Sequence, residues 1–216
     1  MLCYRTAIKR ANIVLGAKSM NWLKFAAAAA AISLVAAPGA AQYASDGAAF
    51  VEAVRKSDGS AAKKILEERG PAIINTRDYE GNTALVVAIN NRDEDWTAFL
   101  LQQGADPNLA SKGGETPLIA ASRIGYDDAV GWLLGLNVKV DAANKMGETA
   151  LIIAVQQRHP RIVRALLAAG ANPDKTDAAA GLSARDYAKR DTRSREILQL
   201  IEARKITAAD GGDTSR

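Results

Sequence analysis

A 33-residue period in the middle of the chain limits what this sequence can fold into. Gly81, Gly114 and Gly147 open three similar stretches, "GNTALVVAI", "GETPLIAAS" and "GETALIIAV". Three units align on this period without a gap, at residues 78–110, 111–143 and 144–176. A unit of this length cannot bury its apolar side chains alone. The period therefore predicts a solenoid in which each unit packs only against its neighbours.

Each unit carries the signals of a turn followed by two short helices. The glycine supplies the positive φ of a tight turn, and a threonine two residues later can cap a helix, as Thr116 does in front of Pro117. Leu and Ala at i and i+3 then give a short apolar stripe. A second apolar helix follows and ends at Gly104, Asn137 or Gly170. Because Asn also enters the left-handed region readily, Asn137 fits a glycine position.

These residues resemble the ankyrin repeat, whose pattern is roughly G-x-T-P-L-H-x-A-A, then G-H-x-x-I-V, then L-L-x-x-G-A-x-x-N. The stretches "LLQQGADPN" and "LLAAGANPD" match its last part, and the resemblance covers about residues 48–204. It implies an all-α solenoid of stacked helix pairs with β-turn or hairpin loops, about five units including degenerate caps. Val86, Ile119 and Ile152 replace the family's His, so apolar packing must replace its hydrogen bonds or they are lost.

The two ends of the array lack the full pattern and are expected to cap it. Residues 42–77 are predicted to form an N-terminal capping helix pair, and residues 177–205 a C-terminal capping repeat with Ser183 in the threonine position. A solenoid needs polar outer faces at its termini, and both segments are rich in charge. Residues 206–216 are polar and are predicted to form a disordered tail.

Residues 1–41 are interpreted as an N-terminal leader with a signal peptide. They carry five Lys and Arg and no Asp or Glu, and an apolar run of 13 residues precedes the small residues Gly39 and Ala41. A membrane span takes about 20 residues, so we expect cleavage after Ala41 and no stable membrane anchor afterwards. The long polar lead-in favours translation from Met20.

The basic charge of the chain belongs mostly to this leader. The formal charge is +4 over 216 residues, whereas residues 42–216 carry 23 Lys and Arg against 24 Asp and Glu. Nucleic-acid binding needs a concentrated cationic surface, so no nucleic-acid partner is expected. The single cysteine, Cys3, also lies in the leader. The remaining chain therefore suits an oxidising compartment, since it has no thiol to mispair.

Few residues offer catalytic or metal-binding chemistry. The single histidine, His159, lies where the ankyrin pattern itself has G-H, so its expected role is structural, and no nucleophile motif accompanies it. Asp127 and Asp128 begin a second helix, where the helix dipole favours carboxylates. Gly113 and Gly114 follow no strand and are expected to form a turn rather than a phosphate loop. We predict no enzyme activity, no metal and no cofactor.

The resemblance implies that a partner would bind to a concave face made by the turn tips and the exposed side of the first helices. These positions vary between units while the framework stays fixed, as expected for a surface without structural duty. Tyr79, Met146, Ile124 and Arg123 are the residue types most able to anchor an interface. The predicted partner-binding residues are Tyr79, Glu80, Asn82, Asn90 and Asn91 of the first unit, Lys112, Glu115, Arg123 and Ile124 of the second, and Lys145, Met146, Glu148, Gln156 and Gln157 of the third.

The sequence therefore predicts an exported, non-enzymatic, monomeric ankyrin-repeat protein. It would bind another protein through the concave face, as an interaction scaffold or as a stabiliser of another exported protein. The leader indicates the periplasm of a Gram-negative-type bacterium, with secretion as the alternative. Two other hypotheses stay open: a hydrolase or small-ligand-binding protein that uses the concave groove, and a secreted effector that acts on a host protein.

Overall fold

Helix pairs separated by turns make up the part of the chain that the computed structural model describes, residues 38–193 and 195–210. Residues 1–37 of the predicted leader, with the start at Met20, lie outside these residues. Residues 38–41, which we assigned to the leader, belong to the first described helix. Within the described residues, no helix is long and apolar enough to cross a bilayer.

The described residues form ten α-helices, and their only strand-like pairings are isolated bridges such as Arg77 to Thr83. The predicted all-α repeat solenoid is therefore confirmed. A short 3₁₀-helix, Pro71–Asn75, follows the second helix. The helices are α1 (Pro38–Arg55), α2 (Gly59–Arg69), α3 (Ala84–Asn90), α4 (Glu94–Gln102), α5 (Pro117–Ile124), α6 (Asp127–Leu134), α7 (Ala150–Gln156), α8 (Pro160–Ala168), α9 (Ala184–Arg190) and α10 (Arg195–Asp210).

The first helix of each unit begins at the cap that the sequence predicts. Thr83, Thr116 and Thr149 each accept a hydrogen bond from the backbone N–H three residues later, at 3.2 to 3.3 Å. In the last unit, Ser183 forms a capping box with Asp186, in which each side chain accepts from the other residue's backbone N–H. These caps satisfy amides that the helix itself leaves without partners.

The first helices α3, α5 and α7 are buried on all sides rather than along one stripe. Six consecutive residues are buried in each, at 84–89, 117–122 and 150–155. Helix α5 lies between α3 and α7, helix α7 lies between α5 and α9, and each of the three packs against the second helix of its own unit. Over these six residues no side of the helix faces water, so the apolar side chains run all round it, whereas the C-terminal residues such as Asn90 are exposed. Val86, Ile119 and Ile152 lie in this core, so apolar packing replaces the histidine of the family pattern.

Asn and Asp side chains join the loops that follow the second helices, in a set that we call the Asx ladder. Asn75, Asn108 and Asp141 stand 33 residues apart. The Oδ1 of each accepts from a backbone N–H in the next loop, at 2.8, 2.8 and 2.9 Å. The donors are Asp106, Lys139 and Asn172. Asn108 also donates from Nδ2 to the carbonyl of Asn137 at 3.0 Å, so its amide bonds the next loop twice.

Asp174 occupies the next position of the Asx ladder but makes a different contact. Its carboxylate accepts from the guanidinium of Arg185 at 2.6 and 3.2 Å. The same guanidinium donates to Glu202 of α10 at 2.9 Å. At the last unit, Asp174 therefore pairs with Arg185 of α9, whereas the earlier members of the Asx ladder accept from an amide of the next loop.

The end of the array differs from the prediction in one respect. Helix α10 runs to Asp210, so residues 206–210, which were predicted to belong to a disordered tail, are helical. The rest of that tail, residues 211–216, lies outside the described residues. Ala and Asp follow Ile206-Thr207 here without a glycine until Gly211, so nothing in the local sequence ends the helix earlier.

Candidate functional site

The turn tips in front of α3, α5 and α7 share one backbone geometry. Gly81, Gly114 and Gly147 have φ of 86°, 79° and 78°, a region that favours glycine. In the first tip, the N–H of Asp78 donates to the carbonyl of Asn82 at 2.9 Å. The second and third tips contain the same main-chain bond. The N–H of Ser111 donates to the carbonyl of Glu115 at 2.9 Å, and the N–H of Asn144 donates to the carbonyl of Glu148 at 3.0 Å.

Main-chain hydrogen bonds connect each tip to the next. Lys112 N–H donates to the carbonyl of Gly81 at 2.9 Å, Lys145 N–H to Gly113 at 3.1 Å, and Ala178 N–H to Met146 at 2.8 Å. The approach is close: a Cβ added at Gly147 would lie 2.5 Å from the nitrogen of Ala178. Main-chain hydrogen bonds therefore recur at every step between tips, and at the first step the guanidinium of Arg77 adds a bond to the carbonyl of Ala110 at 2.8 Å.

None of the fourteen predicted partner-binding residues is buried. Two are large apolar side chains at the tips, Tyr79 with 80% of its surface exposed and Met146 with 54%. The exposed members are Tyr79, Glu80, Asn90, Asn91, Lys112, Lys145, Met146 and Gln157. The half-buried members are Asn82, Glu115, Arg123, Ile124, Glu148 and Gln156. We call the surface formed by these fourteen residues the tip face.

Part of the tip face also supports the fold. The Nε of Arg123 forms an ion pair with Glu115 at 2.9 Å. Asn91 donates to the carbonyl of Arg55 in the preceding helix pair at 3.0 Å. Glu148 accepts from the side chain of Asn144 at 2.8 Å. The expectation that these positions have no structural duty is therefore wrong for such residues, because their side chains hold tips and corners in place.

A first pocket, with a volume of about 420 Å³, lies between α1 and the first tip. Arg55 is at its centre: its guanidinium donates to Glu52 at 3.0 Å and to Asp78 at 2.5 Å, and lies 3.7 Å from Glu80. Burial alone would raise the pKa of Asp78, but hydrogen bonds from Asn82 and Arg55 hold it below its usual value. Lys56 also pairs with Glu52, at 3.2 Å. Three carboxylates therefore lie against two cationic side chains, so this part of the surface carries excess negative charge.

A second pocket, of about 330 Å³, lies at the C-terminal ends of α7 and α9. Arg158, Arg190 and Arg193 line it together with Asp191. The Asp191 carboxylate accepts from Nε of Arg158 at 2.5 Å and lies 3.7 Å from Nε of Arg193. Three guanidiniums against one carboxylate give this pocket excess positive charge.

Tyr187 forms the floor of the second pocket and is held by Asp177. Its hydroxyl donates to the Asp177 carboxylate at 2.6 Å. This hydrogen bond lowers the pKa of Asp177, despite the burial of that carboxyl, and raises the pKa of Tyr187. Gln156, a member of the tip face, also lines this pocket beside Tyr187.

Neither pocket was predicted from the sequence, because the charged residues that define them lie in the two caps, whereas the fourteen predicted residues come from the three central units. Glu52 and Arg55 lie in the N-terminal cap, and Arg190 and Arg193 in the C-terminal cap. One signal was available. Asp78, Asn144 and Asp177 recur in the repeat register as turn residues whose side chains accept from backbone amides.

A larger groove, of about 570 Å³, lies on the side of the second helices, between α4 and α6. Its lining is mostly apolar and includes Leu101, Trp132 and Leu136, the last with 44% of its surface exposed. Gly131 and Gly135 keep it open because they place no side chain in it. The groove is the main rival to the tip face as a binding surface.

His159 packs against the corner of the preceding unit. A Cβ added at Gly125 would lie 2.5 Å from Cε1 of the imidazole, and Gly125 ends α5 with φ of 68°. This contact agrees with the structural role expected for the histidine. Across the described residues, no group of three or more His, Cys, Asp or Glu side chains is placed to hold a metal ion.

Two protein-family models match the chain. A model for ankyrin repeats in three copies matches residues 98–177, and a model for ankyrin repeats in many copies matches residues 65–121. A search of curated protein sequences gave no significant match. The two family matches together run from α2 to the last turn tip, across all three central units.

Proposed function

Since the chain belongs to the ankyrin-repeat family, we propose that it is an exported, non-enzymatic scaffold that binds another protein through its tip face. Ankyrin repeats generally mediate protein–protein interaction, and ankyrin-repeat proteins are typically non-enzymatic scaffolds. The fold itself does not choose the binding surface, so the choice of the tip face needs evidence from the side chains.

The position of the exposed apolar side chains carries this proposal. In the described part of the chain, the well-exposed large apolar residues are Tyr79, Leu136 and Met146. Two of these three lie at turn tips, in the first and third central units. Exposed Tyr and Met are side chains that interfaces favour. The tips that carry them are joined by main-chain hydrogen bonds, so little conformational entropy would be lost on binding.

The proposed location is the periplasm, and it rests on the leader alone. A basic, carboxylate-free segment with an apolar run and small residues before Gln42 supports export. Stabilisation of another exported protein is the role that we favour there. Fractionation of cells that express the full chain, with N-terminal sequencing of the product, tests this part. A product that starts near Gln42 in the periplasmic fraction is expected, and an uncleaved chain in the cytoplasm would contradict it.

Affinity capture tests the binding surface. The full chain, tagged at its C-terminus, is used as bait in periplasmic extract beside a Tyr79→Ala/Met146→Ala variant. Leu136→Ala is the matched control, because it also removes an exposed apolar side chain but lies in the groove between α4 and α6. We expect the tip variant to lose at least one captured protein that the control retains. If Leu136→Ala loses the protein and the tip variant keeps it, the binding surface is that groove and the tip-face proposal is wrong.

A further inference from the structure

Charge is distributed unevenly along the array. Residues 42–110 carry seven Lys and Arg against eleven Asp and Glu. Residues 144–205 carry twelve Lys and Arg against seven Asp and Glu. The near-neutral total for residues 42–216 therefore conceals a negative first part and a positive last part.

The two charged pockets concentrate this difference at the two ends of the tip face. Tyr79 and Glu80 of the tip face line the first pocket, with three carboxylates around Arg55. Gln156 of the tip face lines the second pocket, with three arginines around Asp191. A surface with opposite charges at its ends selects a partner whose charges are arranged in the complementary order.

Resting on the proposed function, we propose that the tip face binds a charge-polarised segment of its protein partner. Basic side chains of that segment lie over the first pocket, and acidic side chains lie over the second. Arginine suits the second pocket because its planar fork of donors matches a carboxylate. The exposed ring of Tyr79 suits the first, because a cationic side chain can stack on an aromatic face.

The spacing of the helices sets the length of the segment. From the first pocket, beside α1 and the first tip, to the second, between α7 and α9, there are three steps between neighbouring first helices. Packed helices lie about 9 Å apart, so the pockets are about 27 Å apart along the direction of stacking. An extended chain advances about 3.3 Å per residue, so about eight residues separate the basic from the acidic part of the segment.

The charge pattern also argues against a nucleic acid as the occupant. A phosphate backbone is negative along its whole length and would be repelled by Glu52 and Glu80 at the first pocket. A polypeptide can change sign within a few residues. A protein segment is therefore the polymer whose charges can match both pockets at once.

Fluorescence anisotropy with three synthetic peptides tests the proposal on the full chain. The first has three lysines, a Gly/Ser spacer of about eight residues and three glutamates. The second is its reversed sequence, and the third has the same composition with lysine and glutamate alternating. We expect one of the two block peptides to bind about three- to tenfold more tightly than the alternating peptide in low salt, and the difference to shrink at about 0.3 M salt. Equal binding of all three peptides would overturn the proposal.

Matched charge variants identify the pockets. Glu52→Gln/Glu80→Gln and Arg190→Gln/Arg193→Gln are each expected to weaken block-peptide binding about three- to tenfold. The control for the arginine pair is Arg161→Gln/Arg164→Gln, which removes the same charge from exposed positions on α8 outside the pocket. The control for the glutamate pair is Glu67→Gln/Glu68→Gln on α2. Circular dichroism verifies that each variant is folded. If the controls weaken binding as much as the pocket variants, bulk charge is responsible and the pockets are not the site.

Two further outcomes separate this inference from the proposed function. If the protein captured through Tyr79 and Met146 binds equally well to both pocket variants, the scaffold proposal stands and the polarised-segment inference is wrong. Sedimentation equilibrium of the full chain at low salt provides the second test. Self-association that both pocket variants abolish would make a second copy of this chain the occupant, and would overturn the assignment to another protein.

Discussion

The turn tips and the loops after the second helices connect the same neighbouring units by different chemical means. At the tips, main-chain groups form the connection, as from Ala178 N–H to the carbonyl of Met146. In the loops, side chains form it, as where the N–H of Lys139 donates to Oδ1 of Asn108. Side chains at the tips can therefore differ from unit to unit without loss of stacking. The loops, in contrast, need Asn or Asp at the one position of each repeat that forms the Asx ladder. The variable surface lies where main-chain groups supply the recurring connection.

The largest effect is expected where a side chain is added to a tip. Gly147→Ala should lower the free energy of unfolding by about 3 kcal/mol. The alanine backbone is strained at this left-handed φ, and its Cβ clashes with the next tip. Gly104→Ala is the control. Its φ is 87° with nothing within 4 Å of the new Cβ, so only backbone strain of about 1 kcal/mol is expected. Urea unfolding measures both, and equal losses would mean that close approach of the tips contributes nothing.

A smaller effect is expected when one position of the Asx ladder is removed. Asn108→Ala should cost about 1.5 kcal/mol, because two hydrogen bonds to the next loop are lost. Asn108→Asp keeps the acceptor for Lys139 N–H, as Asp141 does naturally, and should cost about half as much. The comparison is read from chemical denaturation midpoints. An Asp variant that is as unstable as the Ala variant would show that the Lys139 bond does not stabilise the stack.

The last tip is held by a hydrogen bond from Tyr187 to Asp177, so the stability that this bond contributes should depend on pH. Tyr187→Phe should cost about 1 kcal/mol at pH 7, because Asp177 loses its strongest hydrogen bond. Since the pKa of Asp177 is lowered in the folded protein, its contribution is present above the unfolded value of about 3.9 and is lost as pH falls through the folded value. The difference between wild type and variant should therefore shrink below about pH 4. Tyr79→Phe, at an exposed ring, is the control and should show no such difference.

The smallest effect on stability is expected for the side chains at the tips themselves. Tyr79→Ala and Met146→Ala should each change the free energy of unfolding by less than about 0.5 kcal/mol, because both side chains are mostly exposed. The same variants are expected to remove partner capture. Thermal melts of the two single variants measure this. A loss above about 1 kcal/mol would assign these residues to the fold and remove the contrast between tips and loops.

The elements of the fold could be predicted from the sequence because their signals are local. Thr83, Thr116 and Thr149 mark helix starts within a few residues of the glycines that form the turns. The Asx ladder was not predicted, although Asn75, Asn108 and Asp141 are in register. Each acceptor reaches an amide 31 residues away in another unit, and local sequence does not indicate that contact. The burial of six consecutive residues in each of α3, α5 and α7 likewise depends on neighbouring units.

The candidate site was predictable only where the repeat aligns. Alignment placed Tyr79 and Met146 at tips, and both are exposed in the structure. It did not place Arg55 or Arg193, because both lie in the caps, outside the three central units that were aligned. The ion pair between Arg123 and Glu115 was also missed, since the spacing of eight residues between them crosses from a tip to the end of a helix.

The ion pair of Asp174 with Arg185 has a consequence for how the number of units can change. A tandem duplication of residues 111–143 would insert a unit whose loop brings both its own acceptor and its own amide, so the Asx ladder would extend through it. A copy added after the last unit would meet an acceptor that Arg185 already holds, together with Glu202. In evolution or in design, the array can therefore gain units at internal positions. A unit added at the C-terminal end could not extend the Asx ladder, because Arg185 already bonds Asp174.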